Sequence, residues 1–307
     1  MRLSRVKSYR NLNFLIFILI YINIFFGPLV RATDSGLACP DWPLCYGEFI
    51  PRYTFQIAME VGHRFYSGLI GILILGGVLW TVVAKDLRKY FLLSGGILIL
   101  LITQVALGAL TVTKLLDPTT VNLHLLNASL LLLLCITLSL LVDWDLKSLQ
   151  REPFHFQNLF HPGTRLILFL MLFTAYQIFI GARVSSHYSG LACPDFPTCY
   201  GEWFPEMVGT IRYQMEHRWI GYGLALSIFV GTALFHKFGS NPISKKLLIL
   251  SCVLIVAQIL IGAMNVWLRL PKILTAFHTL TGITLLICLH LALLHQMLSP
   301  HKETKER

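Results

Sequence analysis

Sliding the chain along itself by 154 residues brings its most unusual polar residues into register inside long apolar stretches. His63 falls on His217, each followed by an arginine (Arg64 and Arg218), and His124 falls on His278. Cys39 and Cys45 fall on Cys193 and Cys199, Gly27 on Gly181, Gln104 on Gln258 and Gly108 on Gly262, with no net insertion between the halves. A repeat of this kind builds the fold from two copies of one unit, so whatever chemistry the histidines carry is carried twice.

The units are apolar. Runs long enough to cross a hydrocarbon layer of about 30 Å lie at roughly 12–30, 57–84, 91–112, 121–142, 164–183, 212–236, 246–268 and 273–298. With 13% charged residues and a mean hydropathy of +0.68, the chain lies outside the range of soluble globular domains. The expectation is an all-α, polytopic membrane protein of eight transmembrane helices, arranged as two tandemly duplicated four-helix bundles over 1–150 and 151–307.

The formal charge of +10 would suit a nucleic-acid binder, but its distribution argues otherwise. When loops are assigned alternately to two sides, sixteen of the 25 Lys and Arg residues fall on one side and nine on the other. That bias places both termini in the cytoplasm and makes the charge a topology signal, with no nucleic-acid partner. Val30-Arg31-Ala32 has the look of a signal-peptidase site. Residues 13–35, however, align without gaps with the internal segment 167–189, so the first helix is expected to be structural. No mitochondrial presequence is evident, which favours a bacterial plasma (inner) membrane.

After the first helix, residues 35–48 carry two prolines and two glycines, which preclude regular helix, and 189–202 is the copy. Both copies keep a C-x5-C pair on the outer, oxidising side. The expected disulfides are Cys39–Cys45 and Cys193–Cys199, since the prolines favour a turn bringing each pair into bonding range. Such pairs brace a loop or, when exposed, exchange electrons. Zinc is disfavoured because structural sites usually space their ligands more closely. Cys135, Cys252 and Cys288, inside helices, read as small apolar packing residues.

His63, His124, His217 and His278 sit near the outer ends of four different apolar runs, two in each half. An intramembrane imidazole must find a partner, and pairs repeated at a fixed offset predict bis-histidine ligation of haem iron. The remaining histidines, His290 and His295 among them, map at or beyond the cytoplasmic ends or lack a repeat partner and read as solvated or interfacial. Arg64 and Arg218 are placed to pair with haem propionates, and Gln104 and Gln258, each four residues before a glycine, look like interhelical hydrogen-bonding positions with a structural role beside close-packing glycines. The halves differ at one informative place. Glu60 stands one turn before His63, whereas the matching residue is Gln214; a carboxylate can take a proton or steady positive charge and an amide cannot. Glu60 is therefore the candidate catalytic residue.

GPLVRATDSGLACPDWPLCYG after the first run, EVGHR at His63, NLH at His124, QMEHR at His217 and AFH at His278 together resemble the haem A synthases over nearly the whole chain. The resemblance implies oxidation of the C8 methyl of haem O to a formyl group, giving haem A for terminal oxidases. It implies a haem b cofactor on His217 and His278, substrate haem near His63 and His124, and a tie to activity for Glu60, Cys39 and Cys45. Expected partners are haem O, the lipid bilayer, a haem O synthase, an electron acceptor such as quinone, and a second copy of the chain. Four repeated histidines would serve equally well a dihaem cytochrome b electron carrier linked to quinone.

Overall fold

The computed structural model describes residues 2–147, 156–239 and 241–298. Four basic residues of the sixteen-to-nine count, Arg151, Lys302, Lys305 and Arg307, and two of the remaining histidines, His155 and His301, lie outside this range. The described chain is all-helical: α1 (Arg2–Ala32), α2 (Phe55–Val83), α3 (Phe91–Thr113), α4 (Pro118–Lys147), α5 (Pro162–Ser186), α6 (Gly209–Phe238), α7 (Pro242–Trp267) and α8 (Lys272–Met297). All eight are long and apolar enough to cross a membrane. Among the described residues, β structure is confined to two isolated bridges, Cys45–Glu48 and Cys199–Glu202.

The repeat is written into the helix ends. The C-termini of α1 and α3 recur in α5 and α7, and the N-termini of α2 and α4 recur in α6 and α8, each at the 154-residue shift. α1, α3, α5 and α7 end alike, with a non-glycine residue at positive φ: Asp34 (55°), Leu115 (51°), Tyr188 (54°) and Arg269 (57°). The following N–H reaches back five residues, from Ser35 to Val30, Leu116 to Thr111, Ser189 to Val184 and Leu270 to Asn265, closing the last turn and satisfying carbonyls that would otherwise face apolar surroundings. The N-termini use local acceptors. Thr54 caps α2 through Ile57 N–H, and Asn241 caps α7 through Ile243 and Ser244 N–H, with Pro242 at the first helical position.

Within each half, consecutive helices pack on one another and the first closes on the last, α1 on α4 and α5 on α8. The halves meet through α1 against α8 and α4 against α5. α4 and α8 are accordingly the most buried spans, while α3 and α7 present Leu92, Ile99, Ile102, Val253 and Leu260 outward, as a lipid-facing wall requires. Polar pairs stitch the junction. Tyr21 Oη lies 2.7 Å from Thr284 Oγ1, and His290 Nε2 lies 2.7 Å from Thr137 Oγ1; hydrogen bonds of this kind between membrane helices contribute about 0.6 kcal/mol each. His290 is thus half-buried between the halves, not solvated as its sequence position suggests, because α8 continues past it to Met297.

Helix α1 begins ten residues before the apolar run. Its first turns are held by Arg5 to Asp86 at 2.9 Å and Arg10 to Asp143 at 2.7 Å, and Tyr9 is buried with its hydroxyl 2.7 Å from Ser94 Oγ.

Candidate functional site

Each of the four repeated histidines lies over a glycine of the preceding helix. His63 on α2 faces Gly27 on α1, His124 on α4 faces Gly108 on α3, His217 on α6 faces Gly181 on α5, and His278 on α8 faces Gly262 on α7. A Cβ at the glycine would stand 4.0, 3.3, 2.8 and 3.0 Å, respectively, from the imidazole Cε1. At 2.8 Å a methyl group on Gly181 would force the His217 ring to shift, and at 3.0 Å one on Gly262 would press the His278 ring aside more slightly, so glycine is what lets each imidazole sit where it does.

One turn before each glycine stands an amide: Asn23, Gln104, Gln177 and Gln258. Gln104 and Gln258 make the interhelical hydrogen bonds expected of them, and their partner is the histidine itself; the four-residue spacing puts Asn23 and Gln177 on the same helix face as their glycines in the same way. Gln104 Nε2 lies 3.1 and 3.3 Å from the two ring nitrogens of His124. Gln177 Nε2 lies 3.1 Å from His217 Nδ1 and donates to the His217 carbonyl at 2.9 Å. Gln258 Nε2 lies 3.4 Å from His278 Nε2 and donates to that residue's carbonyl at 3.0 Å. Asn23, one methylene shorter, reaches Ser67 Oγ at 2.9 Å instead, and Ser67 in turn donates to His63 O at 2.8 Å.

The His217 and His278 ring centroids are 6.2 Å apart and the planes are nearly perpendicular at 78°. Two imidazoles on opposite sides of one metal, each bonded at about 2 Å, would have centroids about 6 Å apart. The donor set is two neutral-capable nitrogen ligands in an apolar interior, and His63 Nδ1 and His278 Nδ1 are buried without a hydrogen-bond partner. These residues fit a haem iron. Among the described residues, no three His, Cys, Asp or Glu side chains gather as a metal cage would need, so the histidine pairs stand as the metal-binding candidates.

Above the histidines lie the two cysteine loops, closed by disulfides with Cα–Cα distances of 4.8 Å (Cys39–Cys45) and 4.7 Å (Cys193–Cys199). Each loop is tied by one aspartate: Asp41 accepts from Tyr46 N–H and Gly47 N–H at 2.6 and 2.9 Å, and Asp195 from Tyr200 N–H and Gly201 N–H at the same distances. The Thr198 hydroxyl, and after it the Gly201 and Tyr200 amides, hold Asp195 down to about 2; the Gly47 amide, seconded by that of Tyr46, lowers Asp41. A depressed carboxylate contributes its stability above its unfolded value and loses it as pH falls through the folded one, so the Asp195 tether holds until the pH approaches about 2.

Glu60 joins loop to helix. It is buried, with Oε2 accepting from Cys39 N–H at 2.8 Å and Oε1 accepting from Arg64 at 2.6 Å. Arg64 also donates to the carbonyls of Asp41 at 2.9 Å and Leu44 at 2.6 Å. Both arginines expected to meet propionates are therefore turned to the loops: Arg218 is buried, donates to Thr198 O and, at 3.3 Å, to Cys193 O, and lies over the Phe196 ring. Gln214 keeps the position of Glu60 but inverts the polarity, donating to Gly190 O at 3.2 Å. The C-terminal half carries its acidic group one helical position before the histidine, where Glu216 pairs with Arg183 at 3.2 Å and Arg212 at 2.7 Å.

Known proteins resemble this chain throughout. Residues 10–58 and 52–290 match the COX15-CtaA family, described as cytochrome oxidase assembly protein. The chain is 30% identical over 210 residues to the Heme A synthase of Symbiobacterium thermophilum, covering 66% of this chain and 67% of that one. It is 28% identical over 307 residues to the Heme A synthase of Shewanella oneidensis, covering 87% and 90%, and 29% identical over 279 residues to that of Bacillus licheniformis, covering 86% and 88%.

Proposed function

The chain belongs to the COX15-CtaA family of cytochrome oxidase assembly proteins, and from that membership we propose that it is a haem A synthase, a membrane-bound oxidoreductase converting haem O to haem A. The observation that carries this reading is an asymmetry between two half-sites related by the repeat: a carboxylate one turn from His63, an amide one turn from His217. Turning a methyl into a formyl group takes up one water and releases four protons and four electrons. That chemistry asks for a proton acceptor at one site and an electron relay at the other.

Residues 1–150 form the substrate half and 151–307 the cofactor half. His63 and His124 would hold haem O, and His217 and His278 would hold haem b, which would supply electron transfer to an acceptor of the quinone class. Glu60 is the catalytic group of the substrate half, oriented by Cys39 N–H and Arg64. Cys39 and Cys45 act through it, because the disulfide fixes the very amide that orients its Oε2. Arg64 and Arg218, which also hold the loops over each site, are the cofactor-binding cations, placed to pair with the haem propionates. A haem O synthase delivers the substrate, and copies of the chain associate in the bilayer.

Pigment extraction tests the activity. In cells that make haem O, the purified chain should carry hydroxylated or formylated haem beside haem b, and haem A should vanish when its expression is withdrawn. Haem b alone, with no effect on haem A, would point to a dihaem electron carrier. Orientation follows from the sixteen-to-nine split of basic residues: both termini are cytoplasmic in a bacterial inner membrane. A reporter fused after Arg307 should be active in the cytoplasm, and reporters near Glu48 and Glu202 outside. The reverse pattern would put the disulfides in a reducing compartment and sink the assignment.

A further inference from the structure

Three of the four imidazoles are touched by a glutamine amide from the neighbouring helix; His63 is not. The exception is built by a coupled pair of residues. Gln177 and Gly221 occupy the positions that Asn23 and Ser67 occupy in the first half. A Cβ at Gly221 would stand 2.9 Å from Gln177 Nε2, so a serine there would push the end of that side chain away from where it now meets the histidine. In the first half Ser67 takes that space, and the shorter Asn23 ends on its hydroxyl. The amide contact on the ring is thereby replaced by a relay that stops at the His63 carbonyl. The His63 ring also stands furthest from its glycine, at 4.0 Å, and its nearest aromatic neighbour, Phe26, meets it edge-on at 5.4 Å, offering no polar hold.

We propose that the Asn23–Ser67 and Gln177–Gly221 pairs decide which half-site releases its haem: Gln177 clamps His217 so that haem b is retained, and Asn23 with Ser67 leaves His63 unclamped so that substrate and product exchange. These four are positioning residues, acting through the histidines. The inference rests on the assignment of substrate haem to His63 and His124 and of haem b to His217 and His278. The physical basis is that a ligand histidine is oriented by the hydrogen bond at its other ring atoms, and losing that partner typically weakens metal binding 10- to 100-fold. A synthase needs both behaviours in one chain, since a product held as tightly as the cofactor would never leave.

The test exchanges the pairs in the full-length protein in detergent. The chain is loaded with haem b at both sites, and haem loss is followed optically on transfer to excess apomyoglobin. Two phases are expected, the faster removed by His63→Ala and the slower by His217→Ala. Asn23→Gln with Ser67→Gly should slow the fast phase about tenfold or more, and Gln177→Asn with Gly221→Ser should speed the slow phase by about 10- to 100-fold. The low-spin spectrum of the slow site should broaden in the second variant and stay unchanged in the first. Unaltered rates in both variants at normal haem content would overturn the clamp. Should the first variant fail to accumulate, an unaltered slow phase in the second overturns it alone. A fast phase that survives His63→Ala would instead sink the site assignment, and the clamp with it, whatever the exchanged pairs do.

Discussion

Replacing His217 or His278 with alanine is expected to lower bound haem b more than tenfold and to abolish the low-spin spectrum of what remains, because one of the two imidazoles proposed to hold the iron is lost. The two rings come from α6 and α8 and lie 6.2 Å apart by centroid, and among the described residues no third His, Cys, Asp or Glu gathers with them to substitute as ligand. Haem content per chain and the visible spectrum, read on the purified protein, decide the matter. Full haem content and an unchanged spectrum in both single variants would remove these residues from the cofactor site. A subtler substitution sharpens the argument. Gly181→Ala leaves both ligands in place yet puts a methyl 2.8 Å from His217 Cε1, so the imidazole must shift or the helices separate. It should reduce haem b less than His217→Ala does while leaving the His278 ring undisturbed. If the ring were merely a packing element of α6, a shift of this size would not show in the haem spectrum.

The features legible in the sequence are those that recur. The 154-residue shift, the eight apolar runs and the two cysteine pairs each appear twice or more, so chance matches cancel and the pattern survives; helices, spans and both disulfides stand where the residues put them. What hydropathy missed is polar and long-range. The first turns of α1 are charged, and nothing local says that Arg5 will meet Asp86, 81 residues on, or that Arg10 will meet Asp143, 133 residues on. The same limit explains Arg64 and Arg218. Seen along the chain they are cations beside the repeated histidines, and only the fold of the proline-rich loops shows that backbone carbonyls also reach them. The histidine-facing amides were within reach, since Asn23, Gln104, Gln177 and Gln258 each precede a repeated glycine by one turn. Attention to glycines as packing surfaces hid their role as notches for imidazole.

Glu60→Gln is expected to leave the protein inserted, leave haem b on His217 and His278, and cut haem A formation by about 100-fold or more, the range in which positioned proton transfer contributes. Haem O or a hydroxylated intermediate should accumulate in place of product. The competing explanation is that Glu60 is there to neutralise Arg64, with which it forms a buried ion pair at 2.6 Å. Magnitudes separate the two. Leaving one member of a buried pair uncompensated costs about 3–5 kcal/mol, enough to reduce protein level and haem content together. Arg64 is not left uncompensated, however, because it keeps the carbonyls of Asp41 and Leu44 as acceptors. The second half shows that the arrangement tolerates an amide: Gln214 occupies the same position, turns its Nε2 to Gly190 O, and Arg218 remains seated on loop carbonyls with no carboxylate at the position of Glu60. Glu60→Gln thus converts the first half to the pattern of the second, with folding preserved and the anion removed. The amide of Cys39 loses its anionic acceptor in the exchange, so the loop should gain mobility while its disulfide stays closed. Haem chromatography on membranes with matched protein levels reads the result. Normal haem A yield would take Glu60 out of the mechanism, and a parallel fall in protein, haem b and haem A would assign it to the ion pair alone.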